Sequence, residues 1–385
     1  RRSRQRHVAD WQRNVTVADE RIGVVLEAQG KLDEALKFYQ DGLAIRDRLA
    51  KADPSNSGWQ SDLAMGYARI GRILETQGDL ASALQSYQDC LVIRERLAKS
   101  DLTNIVWQND LSISYETIGD LLKEQSRFEE ALVSYRASLA AADRLATTDP
   151  ANADRQRDVS ILYNKIGDVL KAEGNFAEAL KSYQAGLTIR DRLTKLDPSH
   201  VDWQSVLATS YERIADVLKE QGNLSEALAS YNESLTIRRR LAEVEPGDAD
   251  RQDDLQFVLG RLSGLAYQLV LARDFATALE AADRATSLAS DKIWLYANRA
   301  HALMFLGRTD EARALYLQYR GRQNVIDDKT WETVVLEDFA ELGGKGLTDP
   351  LMDEIEKGFA QEDTESDAVV ARKQSPPVAH TTVGP

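Results

Sequence analysis

Cysteine is almost missing from this chain: Cys90 is the only one in 385 residues. That excludes a disulfide framework and a thiolate metal cluster, and it fits a reducing, cytoplasmic setting. Histidine is nearly as scarce, with His7, His200, His301 and His380 making up the set of 4. None of them has the spacing of a zinc motif, and no calcium-loop pattern occurs. No run of about 18 apolar residues is present, so nothing reads as a membrane span. Positive charge is in deficit, 48 Lys+Arg against 62 Asp+Glu, a formal net charge of −14. Such a surface repels nucleic acid and anionic membrane. Strand-like alternation is absent too, and with only 8 prolines helices go largely uninterrupted.

What the chain has in abundance is repetition. WQSDLAMGYARIGRILETQG begins at Trp59, WQNDLSISYETIGDLLKEQS at Trp107 and WQSVLATSYERIADVLKEQG at Trp203. Stacked at a 48-residue interval, Trp11, Trp59, Trp107, Arg155, Trp203 and Arg251 form one column, followed by Gln in all six. Gly23, Gly71, Gly119 and Gly167 form another, with Ala215 as its fifth member. Ala35, Ala83, Ala131, Ala179 and Ala227 follow, and Tyr39, Tyr87, Tyr135, Tyr183 and Tyr231 lie four residues beyond them.

Each unit reads as two helices. Leu63, Tyr67, Ile70 and Leu74 recur at three- and four-residue spacing, one apolar stripe on a helix. Gly78 ends that helix, as do Gly30, Gly174 and Gly222, with Ser126 the exception. Asp79, Asn175 and Asn223 are expected N-caps of the second helix, whose stripe is Leu80, Ala83, Leu84, Tyr87 and Leu91. Turns such as Asp53-Pro54, Asp149-Pro150 and Asp197-Pro198 close each unit, because proline disfavours helix in the residue before it.

Gly71, Leu74, Gly78, Ala83, Leu84 and Tyr87 together resemble the tetratricopeptide repeat, a helix–turn–helix unit of 34 residues. The resemblance covers residues 11–321. Its departure is length, about two extra turns on each helix. After Ala278 the period falls back, since Ala312 stands 34 residues later, and the last unit carries Tyr296, Ala300, Gly307 and Tyr316. The resemblance implies an all-α fold: a right-handed α-solenoid of about seven stacked antiparallel helix pairs, with units starting near residues 11, 59, 107, 155, 203, 251 and 291. Hairpins of this kind bury their stripes by stacking. The Trp ring is expected to pack on the preceding unit's second helix near Leu49, Leu97 or Leu193, with the Gln bonded to the inter-unit turn. On that reading Trp107→Ala costs about 3–5 kcal/mol.

The resemblance also implies a non-catalytic interaction scaffold or sensor that takes a protein or peptide partner in a concave groove lined by the first helices, with no cofactor, metal or nucleic acid and no membrane contact by the array. The groove candidates are Glu116, Asp120 and Lys123, then Asn164, Asp168 and Lys171, then Glu212, Asp216 and Lys219. Each Asp–Lys pair has i,i+3 spacing, which alone makes an ordinary surface pair. Three repeats in succession make a charged ladder. Some family members clamp a peptide's terminal carboxylate with Lys and Asn in these columns. Asp stands for that Asn here, which argues against the clamp. The column Arg48, Arg96, Arg144, Arg192 and Arg240 lies at the end of each second helix, where the helix dipole favours a cation. Cys90 shares its column with Gly42, Ser138, Gly186 and Ser234 and reads as core.

Outside the array, Arg1, Arg2, Arg4 and Arg6 make residues 1–10 basic, either at a processing boundary or as the flank of a removed membrane helix. Long-helix arrays of this type resemble the regulatory portions of large bacterial signalling proteins, in which an effector domain comes first. Residues 322–360 are expected to cap the array, with one helix over Thr330–Leu342 bearing Trp331, Val334, Val335 and Leu336 on one side, and another opened by Asp349-Pro350. Gly343-Gly344-Lys345-Gly346 has the wrong order for a phosphate loop and reads as a turn. Residues 361–385 are polar and read as a disordered tail.

Overall fold

The computed structural model describes residues 2–360 apart from 324 and 327, with side chains from residue 11 onward. The expected tail over 361–385 lies outside the described residues, as do the side chains of the basic segment. Among the described residues the fold is all-α, and the one extended feature is an isolated bridge between Ile326 and Lys329. The helices alternate as the first and second members of hairpins. They run α1 (Arg2–Ala28), α2 (Leu32–Ala52), α3 (Ser57–Thr76), α4 (Leu80–Ser100), α5 (Ile105–Glu124), α6 (Phe128–Thr148), α7 (Ala153–Ala172), α8 (Phe176–Leu196), α9 (Val201–Glu220) and α10 (Leu224–Val244). Four more, α11 (Ala249–Leu271), α12 (Phe275–Leu288), α13 (Leu295–Phe305) and α14 (Thr309–Gln318), are followed by α15 (Trp331–Gly344) and a last helix, α16, over 350–360. Helices α3 to α10 have 20 or 21 residues, about 30 Å each. Those of the final hairpin have 11 and 10.

The chain forms two compact units, residues 1–217 and 218–385. In the first, each helix from α1 to α8 packs on the next; in the second, α10 to α14 do the same and α11 also meets α13. These are stacked hairpins of a tetratricopeptide-like solenoid.

The helix ends follow local chemistry. Gly30, Gly78, Gly174 and Gly222 adopt φ of +74° to +81°, and Ser126 takes +58° in the same place. At Gly78 the Asp79 N–H donates to the Leu74 carbonyl at 2.9 Å, which satisfies a carbonyl the helix leaves open. Asp79 and Asn175 cap their helices, whereas the Asn223 side chain makes no cap bond. Asn56, Asn104, Asn152 and Asp248 cap the first helices, each accepting from the N–H three residues on.

The repeated columns are packing positions. Ala83, Ala131, Ala179 and Ala227 are fully buried, and Tyr87, Tyr135, Tyr183 and Tyr231 are core. The glycine column exists because of the tyrosine column: a Cβ on Gly71, Gly119 or Gly167 would sit 2.7, 2.7 or 2.5 Å from the ring of Tyr87, Tyr135 or Tyr183. Trp59 and Trp107 lie against Ala50, Leu63, Ala64, Ile93 and Leu97 but are only partly buried, so the tryptophan is a lid and not a core residue. Gln60 and Gln108 donate to the carbonyls of Ala50 and Ala98 at 3.1 and 2.9 Å, in the last turn of the preceding helix. Trp11, with no described helix ahead of α1 to cover, is 66% exposed.

At the C-terminal end the expected stripe of α15 shifts. Trp331, Val335, Phe339 and Leu342 are buried, while Val334 and Leu336 are only partly so. Spacings of four, four and three follow the helix more closely than the adjacent pair Val334–Val335. Pro350 opens α16 as expected.

Candidate interaction face

The first helices of residues 1–217 carry the polar columns named from the sequence, and the structure shows what each holds. The Asp–Lys pairs are not made within one helix. Asp120 accepts from the Tyr135 hydroxyl at 2.7 Å and from Lys165 of the next hairpin at 2.6 Å. Asp168 accepts from Tyr183 at 2.7 Å and pairs with Arg213 at 3.3 Å. Lys171 reaches Asp216 at 3.8 Å, and Lys165 also takes Glu116 at 2.8 Å. Successive first helices lie side by side, so a residue 45 positions on is nearer than one a turn away. Lys123 and Lys219 make no ion pair among the described residues. Asn164, Glu212 and Asp216 are buried.

In the earlier hairpins the signs are exchanged. Tyr39 and Tyr87 donate to Glu27 and Glu75, 12 residues back, where Tyr135 and Tyr183 find their aspartates 15 back. Arg72 pairs with Glu27 across the hairpins at 2.5 Å, and Arg69 with Glu20 at 2.9 Å. Burial, followed by these carboxylates, raises the phenol pKa values, to about 12 for Tyr39. The ladder breaks where the two arrangements meet. The position 45 residues beyond Glu75 is Asp120, not a base, and Thr117 stands in the column of Arg69, Lys165 and Arg213. A cleft of about 450 Å³ opens there, walled by Arg69, Arg72, Glu75, Tyr87, Ile113 and Thr117. Met65 and Ile113 on its sides are 42% and 46% exposed. Cys90 is buried at its floor, which pushes its thiol pKa up and makes it inert.

Sequence reasoning passed over a second arginine column. Arg48, Arg96, Arg144, Arg192 and Arg240 are all exposed, as helix-end cations should be. Guanidinium groups that are buried, or in Arg94 nearly so, stand two residues earlier, in the column Arg46, Arg94, Ala142, Arg190 and Arg238. Arg46 binds Glu20 at 2.7 Å, Arg94 faces Asp110 at 3.8 Å and Arg238 binds Asp254 at 2.5 Å. The 48-residue stacking contains this signal; four arginines in an otherwise apolar helix face was the clue.

Helix hairpins stacked on one another within each unit define a helical-repeat module. Tetratricopeptide-repeat profiles match residues 20–55, 63–101, 158–240 and 295–319. The chain carries tetratricopeptide repeats over these stretches, in hairpins longer than the usual unit. No curated protein matches it in sequence. Among solved structures it is similar to BtubC (BKLC) from P. vanneervenii, with 19% identity, a TM-score of 0.46, and coverage of 68% of this chain and 91% of that one. A putative kinesin light chain from Podosopora anserina with nearly identical TPR-like repeats shares 11% identity over 61% and 98% of the two chains, TM-score 0.45. The apo form of RapI shares 14% over 79% and 99%, TM-score 0.40. Among the described residues no helix is long and apolar enough to cross a membrane.

Proposed function

We propose that the chain is a non-catalytic scaffold that binds a protein or peptide segment along its first-helix face, concave in the family's architecture, and that the segment enters at the Thr117 cleft. The observation that carries this reading is the break in the ladder. Most charges of neighbouring first helices are spent on one another, as in Glu20–Arg69, Glu27–Arg72, Asp120–Lys165 and Asp168–Arg213, but at Thr117 a cleft of about 450 Å³ exposes Met65 and Ile113 between charged walls. Apolar surface with a few convergent polar groups is what a binding site offers. The candidates Asp120 and Asp168 then serve chiefly to space the helices. The alternative reading is a regulatory portion of a larger bacterial signalling enzyme.

The test is photo-crosslinking from position 113 in cells, with partners identified by mass spectrometry. Thr117→Arg restores the repeat's own cation and fills the cleft, so it should abolish a crosslink made by the parent protein. Retention of the same partner by Thr117→Arg would show that the segment binds elsewhere. Charge reversal at Asp168 and Lys171 is a poorer probe, because it would also break the Tyr183 and Arg213 contacts.

A further inference from the structure

Arg190 is the exception in its column. Two neighbouring columns supply the buried arginines with carboxylates: Glu20, Ala68, Glu116, Asn164 and Glu212 lie 26 residues before the arginine column, and Asp62, Asp110, Asp158, Val206 and Asp254 lie 16 after it. Arg46 is served by the first column, Arg94 and Arg238 by the second. Arg190 meets Asn164 in the first and Val206 in the second, so it receives a carboxylate from neither.

Its hydrogen-bond partners are neutral oxygens, and the one carboxylate that acts on it, Asp168, is paired with Arg213. Nε donates to Ser160 Oγ at 3.1 Å, and Nη1 donates to Ser210 Oγ at 2.6 Å and the Val206 carbonyl at 3.4 Å. With the Asn164 amide turned so that its oxygen faces the cations, it accepts from Arg190 and Arg213 at 2.6 to 3.0 Å. Arg190 is only 6% exposed, and burial, then the nearby Arg213, lower its pKa to about 10, so it stays charged at neutral pH. A buried cation with no carboxylate bonded to it is costly.

The same place also holds a cavity. Between α7 and α9, above α8, a space of about 400 Å³ is walled by Ile161, Leu193, Val206, His200, Trp203 and Arg190 itself. The corresponding space beside Arg94, bounded by Leu97, Trp107 and Asp110, is about 10 Å³. In the intervening hairpin, where Ala142 replaces the arginine, it is about 40 Å³. Two substitutions accompany the opening. Val206 withdraws the carboxylate, and His200 replaces the N-cap asparagine and stacks on Trp203 at 4.3 Å and 4°.

We propose that this cavity binds an Asp or Glu side chain of a partner segment, its carboxylate on Arg190 and a neighbouring apolar residue against Ile161, Leu193 and Trp203. The proposal rests on reading the array as an interaction scaffold and names the chemistry that one of its grooves takes. The repeat supplies its own precedent for the ligand, since Asp110 and Asp254 put an aspartate carboxylate beside the equivalent guanidinium. The rim, with Asp154 and Asp202 beside Arg157, favours a monoanion over a doubly charged phosphate.

The experiment follows the Trp203 indole resonance of the full chain, assigned by its loss in Trp203→Phe, during titration with N-acetyl-Leu-Asp-Leu-amide. Saturable shifts are expected, at least tenfold weaker for the asparagine counterpart. Val206→Asp writes the column's residue back, so it should fold as Asp110 does and lose the peptide at least tenfold. Arg190→Gln should lose it as well. Equal binding of the asparagine peptide, undiminished binding by Val206→Asp, tighter binding of a phosphoserine peptide, or no shift at all would each overturn the proposal. Because the probe is a small peptide, such a failure leaves partner capture at the Thr117 cleft untouched, and the converse holds too.

Discussion

Tyr135 and Tyr316 occupy the same column of the repeat, yet their hydroxyls meet different fates. Tyr135 buries its ring and sends its hydroxyl out to Asp120, 15 residues back, on a face open to solvent. Tyr316 is wholly buried, and the residue 15 back is His301, whose Nδ1 lies 2.7 Å from the hydroxyl. His301 passes the polarity on to Asp338 of α15 at 3.0 Å, and Met304 stands where Glu75 would. Burial, then Asp338, holds the Tyr316 phenol well above the usual range. The difference shows what a covering helix does to a repeat. Where the face is open, a carboxylate satisfies the phenol at little cost and can bind the next hairpin as well. Under α15 a carboxylate would be expensive to bury, and His301 instead links the hydroxyl to Asp338 at the edge.

That contrast can be attacked in order of expected effect. Trp331 is fully buried and donates to the Tyr316 carbonyl at 2.8 Å; Trp331→Ala should cost about 3–5 kcal/mol in urea unfolding followed by circular dichroism. Trp107 is a half-buried lid, so Trp107→Ala should cost about 2–3 kcal/mol, and Trp11→Ala less than about 0.5 kcal/mol. Equal losses at Trp107 and Trp11 would remove the stapling role. Tyr316→Phe leaves the buried Nδ1 of His301 unpartnered, with only Nε2 still held by Asp338, and should cost about 2–3 kcal/mol, against about 1 kcal/mol for Tyr135→Phe, whose Asp120 still has Lys165. If the two tyrosines respond alike, the covering helix does not set the difference.

The smallest effect is one of pH. Tyr39 and Tyr115 have folded pKa values raised to about 12 from 10, first by burial and then by Glu27 and Glu95. The folded state therefore keeps protons that the unfolded state releases. The stability these groups contribute is fully present below pH 10 and falls as pH rises through about 12. Alkaline melts of Tyr39→Phe should lose part of that fall relative to the parent protein; an unchanged profile would show that another group governs it.

Much of this was legible without coordinates. The hairpins, their stops at Gly78 and its glycine counterparts and the return to a 34-residue period after Ala278 follow from the 48-residue register and turn chemistry, whereas Gln60, expected on the inter-unit turn, bonds Ala50 in the last turn of α2. The face was harder. Asp120 and Lys123 invite pairing because they are one turn apart, but the first helix of the next hairpin brings Lys165 closer. The column of Arg46 and Arg190 sits in the register as plainly as that of Arg48 and was passed over, since a lone arginine in an apolar stripe looks like a surface residue until its neighbours are known.

Periodicity was sufficient to specify the hairpin, its length and the need to stack, because those depend on which side chains share a helix face, and helical geometry sets that locally. Which columns touch across hairpins, which charges are already spent, and where a missing carboxylate leaves a cavity beside Arg190 emerged only from packing. Contacts between residues 16, 26 or 45 apart depend on how one helix lies against another, and that placement is a compromise among all the side chains between them.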